Sequence, residues 1–224
     1  LINEPLIFVE VALSNQIPSS INEILDTEGT VDPLSEYDTA TFYSISNCQP
    51  GLKNISVGNL LIKQVVQELQ GEFPTIKNFV TLSPVPGFSR WLADKERMIS
   101  PQYAPAAEIV HNTPNTAENA SEDAGILEQL CGEYLLHAKR GILPLDPVAR
   151  FHLGNGARIQ YIRTVADTSV NGLKQSRGVM VNYLYDLRYI ERNHEQFMTE
   201  GKIDCNPDIQ KLLSKPRQVT KRSA

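Results

Sequence analysis

The sequence predicts a mixed α/β domain, because short runs of β-branched and apolar residues alternate along the chain with helical patterns. Their order is strand, helix, strand, glycine loop, helix, strand, long insertion with a helix, strand and strand. The chain has 224 residues, of which 41% are hydrophobic and 21% are charged. This composition is ordinary for a folded protein, and the length is sufficient for one domain with a substantial core.

Five segments have the composition and length of strands, and turn residues bound them. They span residues 6–13, 41–46, 78–83, 158–166 and 179–186. Ser20 and Glu23 have the spacing of a capping box, which predicts a short helix that ends near Gly29. Apolar residues share one face over 59–70 and form a stripe over 124–138, so both segments are predicted helices.

The remaining segments are predicted loops. Residues 26–40 are acidic and rich in turn residues, which indicates an exposed loop. Residues 98–123 are rich in Pro, Ala, Asn and Ser, and we expect a loop or a partly ordered insertion there. The last ten residues are basic and are predicted to be a solvated tail.

Charge and cysteine content exclude some functions. Lys and Arg number 21 and Asp and Glu number 26, so the net charge of −5 disfavours general nucleic-acid binding. No apolar run approaches the ~20 residues needed to span a bilayer, which predicts no membrane partner. Three separated cysteines form no metal motif and suit a reducing compartment, so we expect a cytoplasmic protein. The chain begins without Met, and we expect either processing or a piece of a longer protein.

A glycine loop precedes the helix at 59–70. Gly51 and Gly58 free the backbone to expose N–H groups, and a helix N-terminus favours a phosphate. The spacing matches neither a Walker A loop nor a dinucleotide fingerprint, so a plain turn and a phosphate cradle both remain possible. Lys53 and Lys63 lie nearby, although surface lysines are commonly only solvated charges.

Ser83, His152 and a pair of tyrosines could carry acid–base chemistry. Ser83 ends a strand before two prolines; such a serine is most often a turn residue, and its hydroxyl can also point into a cleft. His152 lies between a Pro-bounded turn and a Gly-Asn-Gly turn, where it is either structural or a proton shuttle. Tyr183 and Tyr185 face one side of a strand, as core residues or as part of a site.

Together these segments resemble the malonyl-CoA decarboxylase family over about residues 5–190. The most specific stretches are Leu82-Ser-Pro-Val-Pro-Gly-Phe88 and Asp146-Pro-Val-Ala-Arg-Phe-His-Leu-Gly-Asn-Gly-Ala157. The others, in the same order as in the family, are Phe42-Tyr-Ser-Ile-Ser46, the Gly51–Gly58 loop continued by Leu60-Leu-Ile-Lys63, Gln67-Glu-Leu-Gln-Gly-Glu-Phe-Pro74, and Asn182-Tyr-Leu-Tyr185.

The resemblance implies a GCN5-related N-acetyltransferase-like mixed sheet flanked by helices and incomplete at its N-terminus. It implies that Ser83 and His152 are the catalytic pair and that Ser44 and Tyr185 support the site. It also implies that the glycine loop binds CoA, through Lys53, Asn54, Ile55, Ser56, Val57, Gly58 and Asn59. Ser56 stands where the family usually has a glutamate, so no carboxylate role carries over there.

The resemblance further implies decarboxylation of malonyl-CoA with no cofactor, because the thioester itself accepts the electron pair. Residues 1–200 are then the catalytic domain and 201–224 a C-terminal tail. A helical domain that precedes this part in the family implies a homo-oligomer. Two alternatives remain: an acyltransferase that passes an acyl group from CoA to an amine, and a non-catalytic CoA-binding module.

Overall fold

A six-stranded mixed sheet forms the centre of the fold, in a computed structural model that describes residues 7–26, 33, 36–47, 58–94, 96 and 99–217. The strands in this part of the chain are β1 (Ile7–Ser14), β2 (Thr39–Asn47), β3 (Asn78–Thr81), β4 (Ser83–Pro84), β5 (Lys139–Arg140), β6 (Leu143–Pro144), β7 (Arg158–Arg163) and β8 (Met180–Leu184). The sheet order is β1-β2-β3-β8-β4, and β7 also pairs with β8. Strands β5 and β6 form a separate antiparallel pair.

The sheet is mixed because one strand pair among the described residues is parallel and the others are antiparallel. β2 and β3 run parallel with Phe42 opposite Thr81. The pairs β1–β2, β3–β8, β4–β8 and β7–β8 are antiparallel. The predicted mixed α/β architecture is therefore confirmed, although the third predicted strand is divided between β3 and β4.

Helices flank this sheet. In the described residues they are α1 (Ile21–Leu25), α2 (Gly58–Glu72), α3 (Phe88–Ala93), α4 (Ala104–Asn112), α5 (Ala117–Glu122), α6 (Ala124–His137), α7 (Pro147–Gly154), α8 (Val170–Ser176), α9 (Ile190–Glu200) and α10 (Pro207–Ser214). The three predicted helices correspond to α1, α2 and α6. The Ser20 hydroxyl caps α1 by accepting from the Glu23 amide, as the capping-box spacing predicted.

The expectation of a loop or a partly ordered insertion over 98–123 is corrected by the structure, because much of this segment is helical. A 3₁₀ turn at Pro101–Tyr103 leads into α4, and α5 follows. The helices form because their small apolar side chains are buried: Ala107 and Val110 are fully inaccessible. Tyr103 is also buried and donates a hydrogen bond to the Leu213 carbonyl. Tertiary packing thus outweighs a composition that is typical of loops.

His152 does not lie in a segment between two turns, as the sequence suggested, but on α7. Asp146 caps this helix and Pro147 occupies its first turn, where the missing proline N–H costs nothing. The Gly-Asn-Gly sequence only begins as the helix ends. Two predicted boundaries also shift, since β7 ends at Arg163 and β8 at Leu184.

Within residues 201–224, predicted to be a tail, α10 packs against α6. Ile209 and Leu213 of α10 are buried in the main core. The Gln129 amide of α6 donates to the carbonyls of Leu212 and Lys215, each at 2.8 Å. This helix is therefore part of the domain.

Gly156, which follows α7, has a backbone conformation that side chains disfavour. Its φ is +81°, and a Cβ atom added there would lie 2.2 Å from the Ile190 carbonyl oxygen at the start of α9. We expect Gly156→Ala to lower the free energy of unfolding by about 1–3 kcal/mol or more, because strain and overlap add. Urea denaturation measures the change.

Gly71 is the matched control for this substitution. It lies in α2, and a Cβ atom added there meets nothing within 4 Å. Gly71→Ala should leave stability unchanged or raise it by up to about 1 kcal/mol. Equal effects of the two substitutions would contradict the close approach at Gly156.

Candidate active site

Ser83 lies at a break in the central sheet. β3 ends at Thr81 and β4 begins at Ser83. Between them, the Leu82 amide donates to the carbonyl of Phe42 in strand β2 at 3.1 Å. Ser83 is 6% exposed. Its hydroxyl donates to the Thr81 hydroxyl oxygen at 2.9 Å. Burial and this hydrogen bond therefore hold the Ser83 hydroxyl inside the protein.

Helix α7 brings His152 to this serine. His152 is 4% exposed, and its Nε2 lies 2.9 Å from the Ser83 Oγ. The other ring nitrogen, Nδ1, lies 2.8 Å from the hydroxyl oxygen of Tyr185, just beyond the end of β8. The structure thus joins the two residues predicted as the catalytic pair, and it adds the predicted supporting residue Tyr185 in the same chain of hydrogen bonds.

Burial controls the charge of His152. Desolvation lowers the pKa of its imidazole from 6.5 to about 3, so the resting ring is neutral near pH 7. The Tyr183 ring stacks on it at 4.6 Å between centroids. Burial also raises the pKa of the Tyr185 hydroxyl, which stays protonated. A neutral imidazole has one N–H and one acceptor nitrogen, so one hydroxyl donates to it and the other accepts.

Asp146 links the two halves of the site, and the sequence interpretation missed it. One carboxylate oxygen caps α7 by accepting from the amides of Val148 and Ala149, each at 2.9 Å. The other accepts from the Gly87 amide at 3.3 Å, in the loop after Ser83. Asp146 therefore fixes the start of the helix of His152 against the loop of Ser83. The signal was present, because an Asp followed by Pro is a typical helix start.

The other predicted binding residues are less well defined. Ser44 is half-buried in β2 opposite Glu10, and no hydrogen bond joins it to Ser83 or His152 within the part of the chain that the structure describes. The predicted positions 53–57 lie outside the described residues. Gly58 and Asn59 form the first turn of α2.

The parallel pairing of β2 and β3 relates helix α2 to the predicted catalytic pair, Ser83 and His152. The chain leaves the carboxyl end of β2 before α2 begins, and Ser83 follows the carboxyl end of β3. The carboxyl ends of parallel neighbours lie at the same edge of a sheet, where ligands commonly bind in α/β folds. The N-terminus of α2 and Ser83 thus both follow strands that end at this edge.

Two further classes of site were sought in the described ranges. They contain no group of three or more His, Cys, Asp or Glu side chains arranged to hold a metal ion. Of the helices described, none is long and apolar enough to cross a membrane.

A buried serine, histidine and tyrosine in one hydrogen-bonded chain define a site suited to proton transfer. Residues 1–223 match the family described as the malonyl-CoA decarboxylase C-terminal domain, and the chain belongs to that family. It is 34% identical to the mitochondrial malonyl-CoA decarboxylase of the goose Anser anser anser over 245 residues, covering 97% of this chain and 49% of that protein. For the rat protein the identity is 33%, with 94% and 48% covered.

Solved structures agree with this assignment. The malonyl-CoA decarboxylase of Rhodopseudomonas palustris is 47% identical, with a TM-score of 0.83 over 95% of this chain and 50% of that one. That of Agrobacterium vitis is 44% identical, with a TM-score of 0.84 over 94% of this chain and 54% of that one. The chain spans about half the length of the curated relatives that it matches.

The buried histidine predicts a pH dependence of stability. The unfolded chain protonates His152 near pH 6.5, whereas the folded chain does so only near pH 3. Between these values the unfolded state binds more protons, so stability rises with pH by up to about 1.4 kcal/mol per pH unit from this group. Urea unfolding of the wild type and of His152→Gln between pH 4 and 7 measures the difference. Parallel pH dependences in the two proteins would contradict a neutral buried imidazole.

Proposed function

We propose that this chain carries the catalytic site of an enzyme that converts malonyl-CoA to acetyl-CoA and CO₂. The observation that carries the proposal is the buried hydrogen bond between Ser83 and His152 in a member of the malonyl-CoA decarboxylase family. A hydroxyl and an imidazole at 2.9 Å can move a proton to a substrate atom, which is the step that this reaction needs from the protein.

The substrate supplies the electron sink. The bond between the carboxylate carbon and the α-carbon breaks, CO₂ leaves, and the electron pair delocalises into the thioester carbonyl as an enolate. Acetyl-CoA then forms when the α-carbon takes a proton. The protein must therefore bind CoA, keep water from the carboxylate and provide a proton donor at the α-carbon. Donors to the developing enolate oxygen would contribute about 3–4 kcal/mol each.

We propose that His152 is the source of the proton and that Ser83 delivers it to the α-carbon. The resting imidazole is neutral, and a substrate carboxylate beside it favours the charged form, because an opposite charge raises the pKa of a histidine. The site would thus take up a proton together with malonyl-CoA. After CO₂ leaves, Ser83 passes its hydroxyl proton to the α-carbon and regains one from Nε2. The Tyr185 hydroxyl accepts from Nδ1 while the ring is charged, and it still accepts after Nε2 has given up its proton, because the remaining ring hydrogen is then on Nδ1.

The topology supports CoA binding at the same edge of the sheet. The predicted phosphate site precedes α2, which follows the carboxyl end of β2, and Ser83 follows the neighbouring parallel strand. A helix N-terminus favours a phosphate through its free N–H groups and its dipole. We therefore assign the pyrophosphate of CoA to residues 53–59 and the thioester end to Ser83. Ser44 stays a predicted supporting residue.

Assembly and location stay predictions. We retain the proposal of a homo-oligomer built through a helical domain outside this chain. The goose and rat relatives are named as mitochondrial proteins, whereas we predict a cytoplasmic location for this chain from its cysteines alone.

Substitution of the pair tests the proposal. We expect Ser83→Ala and His152→Asn each to lower kcat for release of CO₂ and acetyl-CoA by about 10²–10⁴-fold, as is typical for acid–base groups. Ser89→Ala is the matched control, because the buried Ser89 hydroxyl has no hydrogen-bond partner among the described residues. It should keep near-normal kcat.

The same assay separates the alternatives when it is run with and without an amine acceptor. Acyl transfer to the amine would favour the acyltransferase, and CoA binding without turnover would favour a non-catalytic module. A near-normal kcat in either variant of the pair would contradict the assignment of Ser83 and His152.

A further inference from the structure

Thr81 occupies the break in the sheet beside the catalytic pair. The Tyr183 amide of β8 faces this break and donates to the Thr81 hydroxyl oxygen at 3.2 Å, so a side chain replaces the usual backbone acceptor. The Asn182 side chain donates to the Thr81 carbonyl at 3.0 Å. Thr81 is fully buried. Two adjacent residues of β8 therefore hold Thr81, Tyr183 at the hydroxyl oxygen and Asn182 at the backbone carbonyl.

The position of the Ser83 hydrogen sets the form of the His152 ring. When the Ser83 hydroxyl donates to the Thr81 oxygen, which lies 2.9 Å away, a lone pair of the Ser83 oxygen faces His152 and Nε2 carries the ring hydrogen. Because a neutral imidazole has a single N–H, Nδ1 then accepts from the Tyr185 hydroxyl.

We propose that Thr81 is a positioning residue that holds the Ser83 proton away from His152 and thereby keeps the resting ring in the Nε2–H form. Without the Thr81 oxygen, the remaining partner of the Ser83 hydroxyl in the described part of the chain is Nε2 of the ring. Ser83 would then donate to Nε2, the hydrogen would move to Nδ1, and every hydrogen bond in the chain would reverse. The direction of these hydrogen bonds is a property of the resting protein, whereas its effect on catalysis rests on the proposed function.

Nuclear magnetic resonance of the ¹⁵N-histidine-labelled protein distinguishes the two ring forms. The chain has 4 histidines, and His152→Gln identifies the signals of His152. We expect the Nε2–H form in the wild type and in Thr81→Ser, which keeps the oxygen. We expect the Nδ1–H form in Thr81→Val, which keeps the shape of the side chain and removes the oxygen.

Thr41→Val is the matched control. Thr41 lies in the neighbouring strand β2, is fully buried, and its hydroxyl has no hydrogen-bond partner in the described ranges. Its substitution should leave His152 in the Nε2–H form. An Nδ1–H form in the wild type would overturn the proposal even if Thr81→Val does not fold. An unchanged form in folded Thr81→Val would overturn it as well.

Kinetics test the catalytic consequence separately. In an active protein, Thr81→Val should lower kcat by about tenfold or more with KM nearly unchanged, and Thr81→Ser should restore kcat. A reversed ring form in a protein that never releases CO₂ would contradict the proposed function and leave the role of Thr81 intact. Normal decarboxylation with an unchanged ring form in Thr81→Val would contradict the role of Thr81 and leave the proposed function intact.

Discussion

The burial of the His152 ring, with a hydrogen bond at each nitrogen, constrains three parts of the fold at once. A buried polar atom without a partner is costly, so α7, the start of β4 and the end of β8 must keep their relative positions. Asp146 supports this arrangement, because it caps α7 and binds the Gly87 amide after β4. The same burial keeps the resting imidazole neutral. His152 therefore has both a structural and a proposed chemical role. Its ring is neutral in the resting protein and is proposed to gain a proton when the substrate binds.

The break between β3 and β4 explains why polar side chains gather at this point. In a continuous strand the backbone would satisfy the amides of β8. Here Thr81 accepts from the Tyr183 amide, and Ser83 is turned toward α7. The interruption of the ladder thus makes room for a site, and side-chain hydrogen bonds replace the lost backbone bonds. Because those side chains also belong to the proposed catalytic site, we expect substitutions there to affect stability and activity together.

The residues that could be predicted from the sequence were those in specific motifs. Ser83, His152 and Tyr185 were identified through the family resemblance, and the strands and the three long or capped helices through periodicity. Helix α7 was missed because Pro147 and the Gly-Asn-Gly sequence resemble turn signals, although proline is well tolerated in a first turn. Helices α4 and α5 depend on tertiary burial, and Thr81 acts through an amide 102 positions away. Neither kind of contact can be predicted from a local sequence pattern.

Proton uptake on substrate binding tests the central claim most directly. Calorimetric titration of malonyl-CoA into the slowly reacting Ser83→Ala protein, in buffers of different ionisation enthalpy, counts the protons taken up. We expect proton uptake that increases as the pH falls from 7 toward 5, because the carboxylate raises the pKa of His152 by about 1–3 units above its resting value of about 3. We expect no such uptake when His152→Asn is added. Binding without proton uptake in the first protein, or equal uptake in both, would contradict the assignment of His152 as the proton source.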